Sequence, residues 1–431
     1  MNDKLDAQNP QFFCQRRSPD SSRHGDERDP FMRDKSRIIH SAAFRRLQGK
    51  TQVMGPGEGD FHRTRLTHSI ESGQIGEGIL KFVKEKNQNP DLVDWLPSSD
   101  LIVAACYAHD IGHPPYGHSG ERALYRAMRI CGGFEGNAQT IRILTKLEKY
   151  KRGIGINPTR RTILSVLKYP KAFSEEDASK FKDKPPKRYY HQENDVIQWA
   201  ISGFSEVEQQ KYQILNEHGK PKYMTLDASI MECADDIAYG VHDLEDIVAR
   251  GLVSKDELLE TIREFFVRKN IMQVGEGEAA VHRDEFENLF ESSFERKDLI
   301  GKLVNLFVTS TAVVDNKTFT HPLLRYNVEM PTHLKEFQKF LKEDVTYQMV
   351  VNRAATQTLE RKGQMLITSL YDAFIDSPEN LIPKSSFEDL SQAENVSRVV
   401  CDYIAGMTDN FAEKYYHRLF TVGYGSSSDE L

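Results

Sequence analysis

The chain has 431 residues, of which 39% are hydrophobic, 28% are charged and 10% are aromatic. This composition is typical of a globular protein and excludes collagen-like, low-complexity and wholly disordered chains. The formal net charge of −7 argues against a chain-wide basic surface for nucleic acid, although it leaves room for a local basic patch. The length favours two sub-domains or one elaborate helical body.

The sequence carries no signal for a membrane partner or for secretion. Its longest apolar run, residues 101–108, is far shorter than the roughly 20 residues of a membrane helix. The N-terminus lacks a basic start followed by an apolar stretch, so no secretory signal is predicted. The five cysteines are scattered without a CxxC pair, which disfavours a disulfide framework or a zinc knuckle. A reducing, cytoplasmic location is therefore expected.

Apolar residues at helical spacing predict a mostly helical, all-α fold. The predicted helices cover 34–47, 64–84, 101–108, 119–130, 137–149, 193–202, 226–250, 255–269, 297–311, 332–343, 346–377 and 394–420, and Gly363 could break the helix over 346–377. Periodicity alone does not separate a helix from a buried strand over 101–108. Its alanines and the N-cap offered by residues 98–100 favour a helix.

Composition also divides the chain into segments. Residues 168–192, rich in proline, lysine and aromatic residues, are expected to form a long loop. The turn-rich stretch 55–60 is expected to form a hairpin or loop. The expected order is a polar N-terminal arm (1–30) that docks only in part, a core (31–250), a C-terminal helical region packed on the core (251–422) and a frayed tail (423–431).

Histidine is unusually dense between His109 and His118. The chain has 14 histidines in 431 residues, so ten residues should hold about a third of one, yet this window holds three. Asp110 lies inside the window, and Glu121 follows three residues after it. The apolar helix would fix His109 and Asp110, whereas the Gly/Pro turn would expose His113 and His118. Histidines packed under a loop are the alternative, but histidine is so often a metal ligand or proton carrier that we favour a site.

Two other places carry polar residues at helical spacing. Arg65 and His68 are three residues apart and therefore share one face of a helix. Asp235, Tyr239 and Asp243 follow one another at i, i+4 and i+8 as a polar stripe among apolar residues. Burying such a carboxylate without a cation or donors is costly. A solvated acidic face is the alternative, but for Asp235 we expect a metal ligand.

The donor types indicate which metal and which chemistry to expect. Imidazole nitrogens and carboxylate oxygens without a thiolate suit Mn²⁺, Mg²⁺, Fe²⁺, Co²⁺ or Ni²⁺ with open positions better than a closed Zn²⁺ site, although Zn²⁺ stays open. The expected chemistry is metal-assisted hydrolysis, in which the ion polarises a phosphoryl oxygen or orients a water. His118 and Glu121 lie next to the expected ligands and are candidates for proton transfer.

The order His68, His109–Asp110, Asp235 resembles the signature of the HD phosphohydrolase superfamily, a helical metal-hydrolase fold. Longer blocks are similar to the bacterial deoxyguanosine triphosphate triphosphohydrolases (dGTPases) and related dNTPases, in family order: residues 34–53, 63–71, 108–121, 134–139, 232–246 and 402–412. The resemblance covers most of the chain. It implies an HD-domain catalytic core with additional C-terminal helices.

The resemblance also implies a reaction and its residues. Water would attack the α-phosphorus of a deoxynucleoside triphosphate and release the deoxynucleoside and tripolyphosphate. The implied metal ligands, for Mn²⁺ or Mg²⁺ above all, are His68, His109, Asp110 and Asp235. His118 and Glu121 would handle the proton and the attacking water or the leaving 5′-oxygen. The implied substrate contacts are Gln52 near the sugar 3′-hydroxyl, Arg65, His113 and Lys187 at the phosphates, and Tyr239 and Asp243 in the sugar pocket.

Two positions depart from the family pattern. Phe134 stands where vertebrate dNTP-depleting relatives place an additional histidine, so that helper is not expected here. Residues 187–190 align only loosely with a Lys–aromatic–Gly block that grips phosphates. Lys187 is therefore the first candidate for this role and Lys184 the second, with a solvated loop as the alternative.

The resemblance further implies a homo-oligomer (dimer, tetramer or hexamer), with an effector nucleotide or single-stranded DNA as further partners. The arginine-rich segment 37–50 could join subunits or bind an effector, or it could be a solvated face. Two other functions stay open beside the dNTP triphosphohydrolase. One is another HD-type nucleotide phosphohydrolase, such as a phosphomonoesterase or phosphodiesterase. The other is a non-catalytic oligomer that binds nucleotide or single-stranded DNA.

Overall fold

The computed structural model describes residues 6–20, 24–52, 63–383 and 395–426. Helices account for most of them, which confirms the predicted mostly helical fold. The predicted hairpin or loop at 55–60, the tail beyond residue 426 and parts of the N-terminal arm lie outside the described residues. None of the helices in the described part of the chain is long and apolar enough to cross a membrane.

The chain forms two compact units, each assembled from separate segments. The first unit comprises residues 1–67, 108–223 and 358–431, and the second comprises 68–107 and 224–357. The predicted division into a 31–250 core and a 251–422 region follows sequence order instead, and it stays a prediction.

The first unit is built from α-helices with short connecting turns. Its α-helices are Pro30–His40, Ala42–Arg46, Gly117–Met128, Gly136–Arg142, Arg160–Val166, Glu175–Lys180, Asn194–Ile201, Glu206–Tyr212, most of Ala354–Asp376, Pro378–Leu381, Val396–Ala405 and Asp409–Phe420. Shorter 3-10 turns (Pro10–Cys14, Leu47–Gly49, His191–Glu193) and a π-helical turn (Ile143–Leu147) link them. Apolar faces of the helices at 117–128, 354–376, 396–405 and 409–420 form one continuous core.

Two helices predicted as continuous are interrupted at capping residues. The helix predicted over 34–47 ends at His40, and the Ser41 hydroxyl accepts the N–H of Phe44 to begin the next one. The helix predicted over 394–420 stops at Ala405, and Thr408 caps a new one. Side-chain capping satisfies backbone donors at each new start, which makes a break there inexpensive.

Gly363 does not break its helix, which runs from Ala354 to Asp376. A Cβ atom on Gly363 would lie 2.9 Å from the Cβ of Tyr116. The glycine therefore serves close packing rather than a kink. The residues just before this helix, 341–351, form a π-helical segment.

Two segments expected to be irregular contain ordered parts among their described residues. In the N-terminal arm, Phe13 is fully buried, and Arg16 forms an ion pair with the buried Asp34. Within the predicted loop 168–192, residues 175–180 form a helix. The side chains of Ser174 and Asp177 form a reciprocal capping box at its start, which explains how such a polar segment becomes helical.

The second unit combines helices with two small antiparallel pairs of strands. Its α-helices are most of Arg65–Lys86, Pro90–Val93, Ser99–Ala108, Leu226–Ala249, Lys255–Lys269, Asn288–Glu291, Ser293–Thr309, Pro322–Arg325 and Thr332–Phe340. Gln273–Val274 pairs with Val281–His282, and Ala312–Asp315 pairs with Tyr326–Glu329. The helix predictions missed these strands, because each has only two to four residues.

Three helices of the second unit approach closely around Gly76. A Cβ atom there would lie 2.9 Å from Ile102, 3.0 Å from the Cys106 sulfur and 3.4 Å from Ala234. The helices Arg65–Lys86, Ser99–Ala108 and Leu226–Ala249 therefore pack backbone to side chain, with no room for a larger residue. This close packing brings His68 on the first helix beside Asp235 on the third.

Candidate active site

In the second unit, His68 and Asp235 form a close imidazole–carboxylate pair. His68 lies in the first turn of its helix and is 1% exposed, and its Nε2 is 3.0 Å from the Asp235 Oδ1. Ala234, next to Asp235, is one of the residues against which Gly76 packs. The pair thus offers one nitrogen and one oxygen atom that could bind a metal, both held by two closely packed helices.

The stripe predicted from spacing lies along the helix Leu226–Ala249. Asp243 is buried, and Tyr239 is half-buried with the ammonium of Lys342 4.9 Å from the centre of its ring. The i, i+4, i+8 spacing places both residues on the same helical face as Asp235. Their predicted role in a sugar pocket stays a prediction.

In the first unit, Asp110 is the centre of a buried group of cations and imidazoles. Its Oδ2 accepts a 2.7 Å hydrogen bond from the Arg65 guanidinium. Its Oδ1 lies 3.0 Å from the His113 Nδ1 and 3.6 Å from the His109 Nε2. All four residues are less than a tenth exposed. Arg65, predicted as a phosphate contact, is thus also the ionic partner of a predicted metal ligand.

Electrostatics keep the Asp110 carboxyl ionised. Burial alone would raise its pKa, but the Arg65 guanidinium and the two histidines outweigh burial and hold the pKa well below its usual range. Burial, reinforced by Arg65, lowers the pKa of His113. His113 is therefore a neutral imidazole at pH 7, and its single proton lies on Nδ1, which faces the ionised Asp110 carboxylate.

The loop that follows His109 is fixed by direct backbone packing. A Cβ atom on Gly112 would lie 2.1 Å from the Gly136 carbonyl oxygen, so only glycine fits. The Thr140 hydroxyl donates to the His109 carbonyl oxygen and accepts the Gly112 N–H, both at 3.1 Å. Residues 136–140 therefore set the position of the His–Asp pair.

His118 and Glu121 form a second imidazole–carboxylate pair one helical turn apart. The His118 Nδ1 lies 3.2 Å from Glu121 Oε2, and Glu121 Oε1 accepts the Gly136 N–H at 2.9 Å. Burial alone would raise the pKa of Glu121, but Lys187 and His118 lower it below its usual range. An ionised Glu121 can only accept a hydrogen bond, so the His118 Nδ1 carries the proton and donates it to that bond. This leaves the His118 Nε2 as the nitrogen that can exchange a proton. The His118 side chain is 64% exposed.

Lys187 lies in the first unit against Glu135 rather than in a solvated loop. Its Nζ is 2.9 Å from Glu135 Oε1 and 5.3 Å from the centre of the Tyr169 ring. Burial alone would lower its pKa, but Glu135 and Glu121 raise it above its usual range, so the ammonium stays charged. Lys184 is exposed. Phe134 is 1% exposed and belongs to the core, where no imidazole would be expected.

Gln52 lies two residues after the buried Lys50, whose contacts sequence reasoning did not predict. Lys50 is 2% exposed, and its Nζ donates to the carbonyl oxygens of His113 (2.6 Å) and Ala405 (2.8 Å). Gln52 is half-buried, and within the described ranges its Oε1 has no hydrogen-bond partner. That oxygen can accept a hydrogen bond from a ligand hydroxyl.

The residues that the sequence analysis missed are partners rather than reacting groups. Glu135 holds Lys187, Lys50 holds the loop at His113, and Asp409 holds the backbone at Thr51. All three lie in or beside the blocks at 34–53, 134–139 and 402–412 that carry the family resemblance. The signal that could have identified these residues is a charged side chain inside such a block. The sequence does not show which residue each one contacts, because the partner is distant in sequence.

Comparison with known proteins places this arrangement in a family. The family model "HD domain" matches residues 65–240, and "Phosphohydrolase-associated domain" matches residues 328–418. A "Deoxyguanosinetriphosphate triphosphohydrolase-like protein" of Shewanella loihica is 41% identical over 94% of this chain and 96% of its own. The protein of that name from Shewanella pealeana is 40% identical, covering 95% and 96%. "Deoxyguanosinetriphosphate triphosphohydrolase-like protein 2" of Deinococcus radiodurans is 40% identical, covering 96% and 98%. The matches confirm the predicted HD-domain fold.

The buried Lys50 predicts a pH-dependent stability. Burial lowers its pKa to about 7, so above pH 7 the unfolded chain binds a proton that the folded chain does not. This group should make the free energy of unfolding rise with pH between about 7 and 10, by up to about 1.4 kcal/mol per pH unit. The measurement is urea unfolding of wild type and Lys50→Met across this range. The free energy of unfolding of wild type minus that of Lys50→Met should increase with pH.

The control for this prediction is Lys149→Met, because Lys149 is exposed in the same unit. Its stability difference from wild type should not change with pH. If the stability difference between Lys50→Met and wild type also did not change with pH, a neutral lysine at this position would be contradicted.

Proposed function

The chain belongs to the deoxyguanosinetriphosphate triphosphohydrolase-like family of HD-type phosphohydrolases, and we propose that it is a metal-dependent dNTP triphosphohydrolase. In this reaction, water attacks the α-phosphorus and the deoxynucleoside and tripolyphosphate leave. The observation that carries the proposal is the His118–Glu121 pair with the charged Lys187 beside it. A proton-transfer group next to a fixed cation is what cleavage beside a triphosphate requires.

HD-type hydrolases depend on a metal, and the donors here fit a divalent cation. We propose His68, His109, Asp110 and Asp235 as its ligands and Mn²⁺ or Mg²⁺ as the ion. The set offers two imidazoles and two carboxylates without a thiolate, which suits these ions, and Asp110 is held ionised for binding. When bound, such an ion polarises a phosphoryl oxygen and lowers the pKa of a water molecule.

The proton-transfer step is assigned to His118. Ionised Glu121 holds the Nδ1–H of His118 and, through its other oxygen, the backbone N–H of Gly136. This fixes the tautomer in which Nε2 exchanges a proton with the attacking water or the leaving 5′-oxygen. A carboxylate behind the imidazole also stabilises its charged form during transfer.

Phosphate binding is assigned to groups with different charge states. Lys187 supplies a full positive charge, since its ammonium stays protonated. Arg65 shares its guanidinium with Asp110, and within the described ranges its Nε has no partner. His113, the remaining phosphate contact implied by the resemblance, is a neutral imidazole. A triphosphate carries several negative charges, so cations beyond the metal are needed.

Selection of the sugar is assigned to three residues from the family resemblance. Gln52 would accept a hydrogen bond from the 3′-hydroxyl, and its Oε1 has no partner within the described ranges. Tyr239 would stack under the ribose and exclude a 2′-hydroxyl by its bulk, with Asp243 beside it. We further propose a cytoplasmic homo-oligomer, with an effector nucleotide or single-stranded DNA as a regulatory partner.

Product analysis tests the proposal. Purified protein with Mn²⁺ is incubated with each of the four dNTPs, singly and in pairs, with GTP as a ribose control, and the products are separated by anion exchange. We expect deoxynucleoside and tripolyphosphate from at least one dNTP or pair. Orthophosphate release would favour another HD-type phosphohydrolase. If no product formed in any mixture although the metal was bound, a non-catalytic binding oligomer would be favoured.

The Glu121→Gln variant tests the role of the His118–Glu121 pair. The amide cannot hold the Nδ1 proton as a carboxylate does, so kcat should fall by a factor on the order of 10² or more while metal and substrate still bind. Steady-state kinetics and metal analysis of the same preparation provide the measurement.

Glu208→Gln is the matched control, because Glu208 is a buried capping carboxylate in the same unit and outside the site. It should leave kcat unchanged. If Glu121→Gln instead lost metal while turnover per bound metal stayed constant, Glu121 would be a residue that supports the metal site and not the proton-transfer pair.

A further inference from the structure

Asp409, at the start of the helix Asp409–Phe420, is buried and contacts two segments that carry site residues. It is 2% exposed. Its Oδ2 accepts the backbone N–H of Thr51 at 3.0 Å and the Thr51 hydroxyl. Its Oδ1 accepts the backbone N–H of Tyr116 at 2.9 Å, and its own carbonyl oxygen accepts the Tyr116 hydroxyl at 3.2 Å. The Asp409 carboxylate thus contacts both Thr51 and Tyr116, which are 65 residues apart in sequence. Thr51 immediately precedes Gln52, and Tyr116 immediately precedes Gly117–His118.

The contact at Tyr116 holds a strained backbone. Tyr116 has φ 61° and ψ 23°, in the left-handed region that non-glycine residues seldom adopt. It is the residue before the helix Gly117–Met128, and its side chain gives that helix no cap. Its ring instead packs on Gly363. Such a conformation persists only when its surroundings enforce it, and here the Asp409 hydrogen bonds do so. His118 is the second residue of that helix.

The contact at Thr51 holds the segment that carries Gln52. On one side of this segment, Thr51 bridges to Thr64, and the Arg65 N–H donates to the Lys50 carbonyl oxygen at 3.2 Å. On the other side the Asp409 carboxylate fixes it. Gly49 leaves room for Thr408, since a Cβ atom there would lie 2.8 Å from that side chain. The segment is therefore clamped from both sides.

We propose that Asp409 is a positioning residue for the reaction, which orients Gln52 and His118 through the backbone at Thr51 and Tyr116. This rests on the proposed function. Asp409 lies within the matched phosphohydrolase-associated domain, and the proposal gives that domain a role in the chemistry beyond packing. The alternative is that Asp409 only stabilises the first turn of the helix Asp409–Phe420.

Asp409→Asn tests the proposal, because the amide nitrogen that replaces one carboxylate oxygen cannot accept the N–H of Thr51 or of Tyr116 that this oxygen now accepts. The matched control is Asp34→Asn. Asp34 is also fully buried in the first unit, and its Oδ2 accepts a backbone N–H from Thr159 and a hydroxyl from Thr162. Both variants lose an acceptor for a backbone N–H and a hydroxyl. Asp34→Asn also loses the Arg16 ion pair, and only Asp409 touches the segments at the site.

Three readouts separate positioning from stability. Hydrogen exchange should speed up at the Thr51 amide, the Tyr116 amide or both in Asp409→Asn, and at Thr159 in Asp34→Asn. Asp409→Asn should lose on the order of tenfold or more in kcat/KM for the preferred dNTP, because small misplacements of reacting groups are costly. Its preference for deoxyribose over ribose substrates should also fall. Asp34→Asn should keep both kinetic values, measured per folded protein, within about twofold of wild type.

Two outcomes would overturn the proposal. One is faster exchange at Thr51 or Tyr116 with unchanged kcat/KM and sugar preference. The other is equal kinetic loss in the two variants, which would make the effect one of stability. If wild type turns over no dNTP, the proposed function fails separately. The proposal on Asp409 is then judged by calorimetric affinity for dGTP, which Asp409→Asn must weaken relative to Asp34→Asn for the positioning role to stand.

Discussion

The Asp110 carboxylate, ionised and buried, is the constraint around which the site of the first unit is arranged. Removing one partner from a buried ion pair costs several kcal/mol, because a charge is left without compensation. Arg65 must therefore stay within reach of Asp110, with His109 and His113 on its other side. That requirement fixes where the helix containing Arg65 and His68 begins. It also demands the glycine at position 112, which lets the loop lie against residues 136–140.

A second group of charged residues in the first unit is arranged by the same electrostatic constraint, with negative and positive charges alternating. Glu121 is held ionised by His118 and Lys187, and Lys187 is held charged by Glu135. Glu135 also accepts the Ala138 N–H at the start of the helix Gly136–Arg142. Each group thus sets the protonation state of the next, and the last carboxylate is tied to the backbone. Such a network keeps its protonation states defined before any substrate arrives, which is the preorganisation that electrostatic catalysis requires.

Many helix bounds and several site residues could be predicted from the sequence, because they depend on the spacing of residues that are close in sequence. The helix Lys255–Lys269 has the predicted bounds, and Leu226–Ala249 differs by one residue. The breaks at Ser41 and Thr408 were missed, because apolar periodicity continues across a capped junction. Asp110 and His118 stood out because histidines and acids cluster where the sequence around them is apolar.

Contacts between distant segments were not readable in the same way. Lys50 binds the carbonyl oxygen of Ala405, 355 residues away, and Asp409 binds Thr51 across 358 residues. Neither partner leaves a periodic pattern, since each contact joins a side chain to one backbone group. The four-residue strand Tyr326–Glu329 was also missed, although its burial alternates as in a half-buried strand.

The central claim is that water attacks the α-phosphorus of a deoxynucleoside triphosphate. Hydrolysis in ¹⁸O-labelled water, followed by mass spectrometry of the separated products, tests it most directly. Attack at the α-phosphorus forms the new P–O bond there and expels the 5′-oxygen, so the label should appear in tripolyphosphate and be absent from the deoxynucleoside. Label in the deoxynucleoside, or in released orthophosphate or pyrophosphate, would contradict the account.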